Sequence, residues 1–305
     1  MRFYTHDSYL QHQVSPGHPE RPERLTYLLS QLQASGELDK MEVVQAPLVA
    51  DADILRAHEP AHLQFVASMR APEEVVPLDP DTWLSPGSEI AARHAAGAVC
   101  DAVSAALDNT SRRSFCAVRP PGHHAESDAA MGFCIFNSIA IGALRALASG
   151  SAGRVAILDF DVHHGNGTVE ICKEHPDVLV CSSFQHPYYP DRFYASDWDN
   201  VINTPLPAGS GSSVFRQAIE ADWLPALASH QPDLILVSAG FDAHEADPLA
   251  QLNLHTDDFT WVTQLITDQA QRYCQGRVVS VLEGGYDLDA LADSVSAHIQ
   301  VLARA

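Results

Sequence analysis

The chain reads as an α/β protein built on a mostly parallel sheet with helices on both faces. Two observations predict this. Short, near-continuous apolar runs alternate with longer helical stretches along the middle and C-terminal parts, the pattern of a doubly covered parallel sheet. Four of those runs also end in polar, chemically competent clusters, and open α/β sheets place their sites outside the carboxyl ends of the strands. The 305 residues, 46% of them hydrophobic, suffice for one large core, and 1–305 is taken as a single domain.

Taken in order, Gly87–Leu107 reads as the first long helix. Phe115–Val118 follows as a strand and ends in Arg119-Pro120-Pro121-Gly122-His123-His124. The stretch Phe136–Ala148 is a helix, and Val155–Asp161 is a strand that runs into Val162-His163-His164-Gly165-Asn166-Gly167. Val178–Ser182 is a third strand, and Ser213–Ser229 a helix. Leu234–Ser238 is a strand ending in Ala239-Gly240-Phe241-Asp242-Ala243-His244. The helix Thr256–Tyr273 leads to strand Val278–Leu282, which ends in Glu283-Gly284-Gly285-Tyr286, and Asp289–Ala303 closes the chain as a helix. The helical stretches are too long for strands, and the apolar runs are short enough to be them.

A strand alternates its side chains, so Asp159, Asp161 and His163 are expected on one side, with His164 on the other as packing or support. Two carboxylates and an imidazole are costly on a buried face without a compensating partner, and a divalent metal supplies one. Asp161, His163 and Asp242 are the expected ligands. Such a mixed nitrogen and oxygen set suits zinc and tolerates iron, and three protein ligands leave a position open for water and substrate. Asp159 is read as an orienting carboxylate for a catalytic histidine or a monovalent ion. The adjacent His123 and His124, held by two prolines and a glycine, offer a base for water attack and an acid for the leaving group. Tyr286 follows two glycines, Gly284 and Gly285, and can donate to a developing oxyanion. Phe133, after Gly132, and Tyr189 can wall an apolar channel for an extended alkyl chain.

Composition narrows the class. Asp and Glu number 39 against 18 Lys and Arg, a formal charge of −21. No basic patch of the kind that binds nucleic acid is present; an acidic surface favours solubility and cationic substrates. No apolar run reaches the ~20 residues that span a bilayer, and the N-terminal residues lack a signal-peptide core. The six cysteines show no Cys-x-x-Cys pairing and are expected as buried free thiols in a reduced cytoplasm.

These motifs resemble those of the histone deacetylase and acetylpolyamine amidohydrolase superfamily, closest to its class II and bacterial branch. The resemblance runs from Gly17-His18-Pro19-Glu20-Arg21-Pro22-Glu23-Arg24-Leu25 through Arg119–Glu126, Gly132–Asn137, Asp159–Gly167 and Ser238–Leu249 to Leu282–Tyr286. It implies an arginase-like three-layer fold with a central sheet of about eight strands. It implies one catalytic zinc on Asp161, His163 and Asp242, and hydrolysis of an N-acetyl amide on a long amine side chain. By matching motif, Tyr286 polarises the amide carbonyl, His123 and His124 flank the water, and Asp159 orients His123. Asn166 stands where class I enzymes carry Asp, which leaves His124 without a charged partner. Asp159, Asp161, His163 and Ser182 match a structural potassium site, and Arg24 matches an arginine of an internal acetate channel.

Departures from the family pattern bear on substrate. Pro190 is followed by Asp191-Arg192-Phe193-Tyr194 instead of Gly-Thr-Gly, Phe184 stands where histidine is common, and Ala246 replaces a glycine. Leu249 occupies the place of the glutamate gatekeeper of polyamine-specific relatives and favours acetyl-lysine in protein or peptide over acetylated polyamine. Asp79 and Asp81 are expected at the rim, where they can meet a backbone amide or a distal ammonium. A binuclear ureohydrolase of the same fold would need further carboxylates where His123, His124 and Gly284-Gly285-Tyr286 stand. A non-catalytic binder of acylated ligands would be expected to have lost some of these residues. The absence of an N-terminal dimerisation insertion favours a monomer.

Overall fold

The computed structural model describes residues 1–69, 75–195 and 198–304. In chain order the elements are β1 (Arg2–Thr5), α1 (Glu23–Ala34), β2 (Glu42–Gln45), α2 (Asp51–Ile54), α3 (Pro60–Ser68), β3 (Val76–Pro77), β4 (Trp83–Leu84), α4 (Ser88–Leu107), β5 (Arg113–Cys116) and α5 (Ser138–Ala148). There follow β6 (Val155–Asp159), α6 (Asn166–Cys172), β7 (Val178–Gln185), β8 (Val201–Leu206), α7 (Ser212–His230), β9 (Leu234–Ala239), α8 (Thr256–Cys274), β10 (Val278–Leu282) and α9 (Leu288–Arg304).

Eight strands form one sheet in the order β2-β1-β5-β10-β9-β6-β7-β8, and every pair is parallel. Every residue of β6, β7, β9 and β10 is buried, as near-continuous apolar runs require when helices cover both faces. Helices α4, α5 and α6 pack as one set, and α7, α8, α9 and α1 as another, giving the arginase-like three-layer arrangement. All six cysteines are free and buried. Among the described residues no helix is long and apolar enough to cross a membrane.

The five expected strands that carry apolar runs are all present, Val278–Leu282 with the expected bounds and the other four with shifted ends. Of the eight strands of the main sheet, β1, β2 and β8 are not among those expected, because their partial exposure breaks the apolar pattern, and neither is the short β3–β4 pair. The informative correction concerns β6, which stops at Asp159, two residues short of the predicted end. Asp161 and His163 therefore sit in a turn, and strand alternation does not explain why they converge.

The chain builds β6, β7 and β8 outward to one edge, then returns to insert β9 and β10 between β6 and β5. The four strands with polar ends, β5, β10, β9 and β6, thereby become neighbours. Beneath them His298 of α9 lies among Phe115, Phe160 and Phe241. It is bonded to Thr263 Oγ1 at 2.6 Å and Ser280 Oγ at 2.8 Å. Burial pushes its imidazole down to about 3.

Candidate active site

Asp161, His163 and Asp242 come together at the mouth of β6 and β9, all buried, with one potential ligand atom from each lying within 4.8 Å of the others. Backbone amides fix the carboxylates. Gly284 N donates to Asp161 Oδ2 at 2.9 Å, His163 N donates to Asp161 Oδ1 at 2.9 Å, and Val162 N donates to Asp242 Oδ1 at 2.9 Å. His163 Nδ1 stands 3.1 Å from Asp161 Oδ1 and 3.2 Å from Asp242 Oδ2. Burial opposes charge on this imidazole, yet the two carboxylates outweigh it and push His163 up to about 10.

A cluster that calls for positive charge this strongly fits a divalent cation. Asp242 Oδ2 is buried and, among the described residues, has only the 3.2 Å approach of His163 Nδ1 and no well-formed hydrogen bond, which adds to the fit, since buried carboxylate oxygens are seldom left unpaired. So does Gly284: a Cβ there would lie 2.1 Å from Asp242 Oδ2 and 2.6 Å from Asp161 Oδ2. The backbone must approach the carboxylates closely, and only glycine permits it.

The histidine pair arrives from the loop after β5. Glu283 Oε2 accepts from the amides of Gly122 at 2.7 Å and His123 at 3.2 Å, which pins the loop to the end of β10. The two rings lie 4.0 Å apart between centroids. His123 Nδ1 is 3.0 Å from Asp159 Oδ2, while His124 Nδ1 is 2.7 Å from Asn166 Oδ1. Burial opposes charge on His123, but Asp161, Asp159 and Glu283 hold it well above the ordinary imidazole value. Burial, reinforced by His123 and His163, holds His124 well below that value. The Asn166 amide can be oriented because its Nδ2 donates to Glu126 Oε1 at 2.8 Å. Its Oδ1 then faces His124, so the imidazole carries its proton on Nδ1 and leaves Nε2 as a free base.

A slot of about 120 Å³ opens over this floor, lined by His124, His163, Gly132, Phe133, Tyr188, Tyr189, Leu249, Tyr286 and Asp81. Hollows of about 300 and 370 Å³ lie elsewhere on the surface but hold none of the strand-end clusters. The Phe133 ring meets Tyr286 edge-on at 5.8 Å, and Tyr189 meets His124 edge-on at 5.3 Å. Gly132 has φ +56°, and a Cβ there would lie 2.4 Å from Cδ2 of His124. The Tyr188 hydroxyl donates to the Leu249 carbonyl, closing the wall.

The Tyr286 turn is braced from below by buried Arg24. Its Nε donates to Gly285 O at 2.7 Å, its Nη2 donates to Glu283 O at 2.6 Å, and its guanidinium lies 4.8 Å over the Tyr286 ring. Asp247 Oδ2 accepts from Tyr286 N at 2.7 Å. Burial pushes the phenol well up, so it stays a donor.

The rim residues part company. Asp81 lines the slot, whereas Asp79 Oδ1 accepts from the amides of Asp81 and Thr82 and is spent on its own turn. Ser182 pairs in register with Asp159, and His164 points away to Asn203 Oδ1 at 2.8 Å. Three buried acids escaped the sequence reading as site residues. Glu283 and Asp247 are each pushed up to about 7, chiefly by burial, and Glu126 supports Asn166. All three lie inside marked motifs, Arg119–Glu126, Ser238–Leu249 and Leu282–Tyr286, but nothing local shows which distant groups their side chains reach.

A histone deacetylase domain profile matches residues 18–302. A histone deacetylase-like amidohydrolase of Pseudomonas aeruginosa is 38% identical over 287 residues, covering 91% of this chain and 75% of that protein. A probable deacetylase of Archaeoglobus fulgidus is 35% identical over 292 residues, covering 93% and 80%. The crystal structure of the HDA15 HD domain superposes with a TM-score of 0.93 at 32% identity, covering 99% of this chain and 87% of that one.

Proposed function

The chain belongs to the histone deacetylase family, and from that premise we propose that it is a zinc-dependent hydrolase that removes acetyl groups from acetyl-lysine in proteins or peptides. The observation that carries the reading is the meeting of three groups around one narrow slot: the Asp161, His163 and Asp242 cluster, the His123–His124 pair, and the Tyr286 phenol. Asp161, His163 and Asp242 would hold the zinc, which when bound supplies a Lewis acid for the amide carbonyl and lowers the pKa of water.

The chain's own groups do the rest. The alkyl stem of the substrate lies between Phe133 and Tyr189, its amide at the floor. His124, neutral and with Nε2 free, takes a proton as water adds to the carbonyl carbon. Asp161 and Asp159 favour the charged form of His123 beside it, and Asp159 orients that ring, which would favour the developing negative charge. The Tyr286 hydroxyl donates to the carbonyl oxygen as it gains charge. His124 then returns its proton to the nitrogen, the C–N bond breaks, and acetate and the free amine leave. Asp81 would meet the substrate's backbone amide at the mouth. A structural potassium beside Asp159 and Ser182, a single domain and a monomer complete the proposal.

An acetylpolyamine substrate is the second reading, favoured by Asp81, whose half-buried carboxylate at the mouth could meet a distal ammonium instead. The deciding experiment is turnover of an acetyl-lysine peptide and N-acetylputrescine by the zinc-loaded protein, with a hydroxamate chelator as control. Chelator-sensitive preference for the peptide supports the proposal; preference for N-acetylputrescine replaces it with the second reading. Loss of neither activity nor substrate preference in His124→Ala and Tyr286→Phe would sink the mechanism.

A further inference from the structure

The two histidines are served unequally. His123 has a carboxylate at 3.0 Å, whereas His124 has a neutral amide at 2.7 Å. A base that turns into a cation during catalysis gains from a nearby anion, and an amide supplies only a dipole. The anion lies one residue farther out. Asn166 Nδ2 donates to Glu126 Oε1 at 2.8 Å, and Glu126 Oε2 is 3.1 Å from Arg192 Nη2. Glu126 is buried, 5% exposed. Its backbone is pinned as well: its amide donates to Ala129 O at 2.9 Å, and its carbonyl lies 3.0 Å from His58 Nδ1.

Resting on the deacetylase reading, we propose that Glu126 is the positioning residue for His124: its carboxylate, passed through the Asn166 amide and held by Arg192, supplies the charge that His124 lacks. A carboxylate that accepts from the amide NH2 raises electron density on the amide oxygen, so Oδ1 becomes a stronger acceptor for His124 Nδ1–H. The arrangement also fixes the Asn166 rotamer, and with it the tautomer of His124. Burial, with Glu170 and Asp128 nearby, pushes the Glu126 carboxyl up, while Asn166 and Arg192 act to keep it ionised. Arg192 lies in the segment Asp191–Tyr194, where the chain departs from its family's usual loop. That loop follows Tyr189 in the slot wall, so the segment that shapes substrate entry also touches the charge behind the base.

The test uses the full-length zinc-loaded protein. Glu126→Gln keeps the acceptor for Asn166 and removes the charge; kcat is expected to fall about tenfold with KM unchanged, a charge-assisted hydrogen bond being roughly twice as strong as a neutral one. Arg192→Gln, at the surface, is expected to fall less and to fold normally. The double variant Glu126→Gln/Asn166→Asp puts a carboxylate directly against His124 and is expected to recover most of the kcat. A role in folding alone predicts no such recovery. Independently of turnover, the downfield proton resonance of His124 Nδ1–H is expected to move upfield in Glu126→Gln. Wild-type kcat with an unmoved resonance in Glu126→Gln overturns the proposal, as does a double variant no better than the single one. Wild-type protein inert on every acylated amine would instead remove the deacetylase reading, and the resonance would still decide the Glu126 assignment.

Discussion

The floor of the slot and its rim are held by different forces. On the floor, Asp161, Asp242 and the His123 loop are fixed by backbone amides and by Glu283 at the ends of four adjacent strands. At the rim, Asp81, Tyr189 and Leu249 come from loops joined by a few side-chain bonds, such as Tyr188 to Leu249. Rigid strand ends favour an exact arrangement of charge, which is what catalysis by preorganised groups needs. Loops tolerate change, which is what substrate choice needs. Of the departures from the family pattern, Asp191–Tyr194 and Ala246 fall in loops, while Phe184 lies buried near the end of β7.

That contrast can be broken first at the floor. His124→Ala and Tyr286→Phe are each expected to lower kcat by roughly 10²–10⁴-fold with little change in melting temperature. Gly284→Ala belongs with them, since its Cβ would intrude on both carboxylates. Metal binding should be lost, read by zinc content after dialysis, and chelation of the parent protein should have the same effect, reversed by added zinc.

Next in size is an effect on the sheet beneath the floor. His298 is neutral in the folded protein, with its imidazole pushed down to about 3, while the unfolded chain protonates near pH 6.5. The unfolded state therefore binds the extra proton, so stability is complete above pH 6.5 and is lost as pH falls through it towards 3. At pH 5 this one group is expected to cost about 2 kcal/mol, and His298→Gln should flatten that part of the stability curve in denaturant titrations.

The rim should respond less, and in KM. Asp81→Asn is expected to raise KM for an acetyl-lysine peptide roughly tenfold, the scale of one hydrogen bond to a charged group, with kcat held. Leu249→Glu is the smallest change: a few-fold shift in kcat/KM towards N-acetylputrescine, with floor chemistry untouched. A rim variant that lowers kcat as strongly as His124→Ala would abolish the distinction between the two regions.

The sequence by itself determined the strand ends and their chemistry. A polar cluster that closes an apolar run is a local signal, because a chain does not place Asp161, His163 or Tyr286 beside a buried strand without a use for them. The family motifs added the expected division of labour. Tertiary structure decided what lies beside what. Alternation along a strand suggested one face for Asp159, Asp161 and His163, but β6 ends at Asp159 and a turn brings the others round. Asp79 and Asp81 look alike in sequence, yet one caps its own turn and the other faces the slot. Glu126 reaches Asn166 across 40 positions, and Glu283 reaches His123 across 160. Such pairings depend on the order in which β9 and β10 return between β6 and β5. That order is set by the burial of the whole sheet between its helices, a property that no local stretch of residues contains.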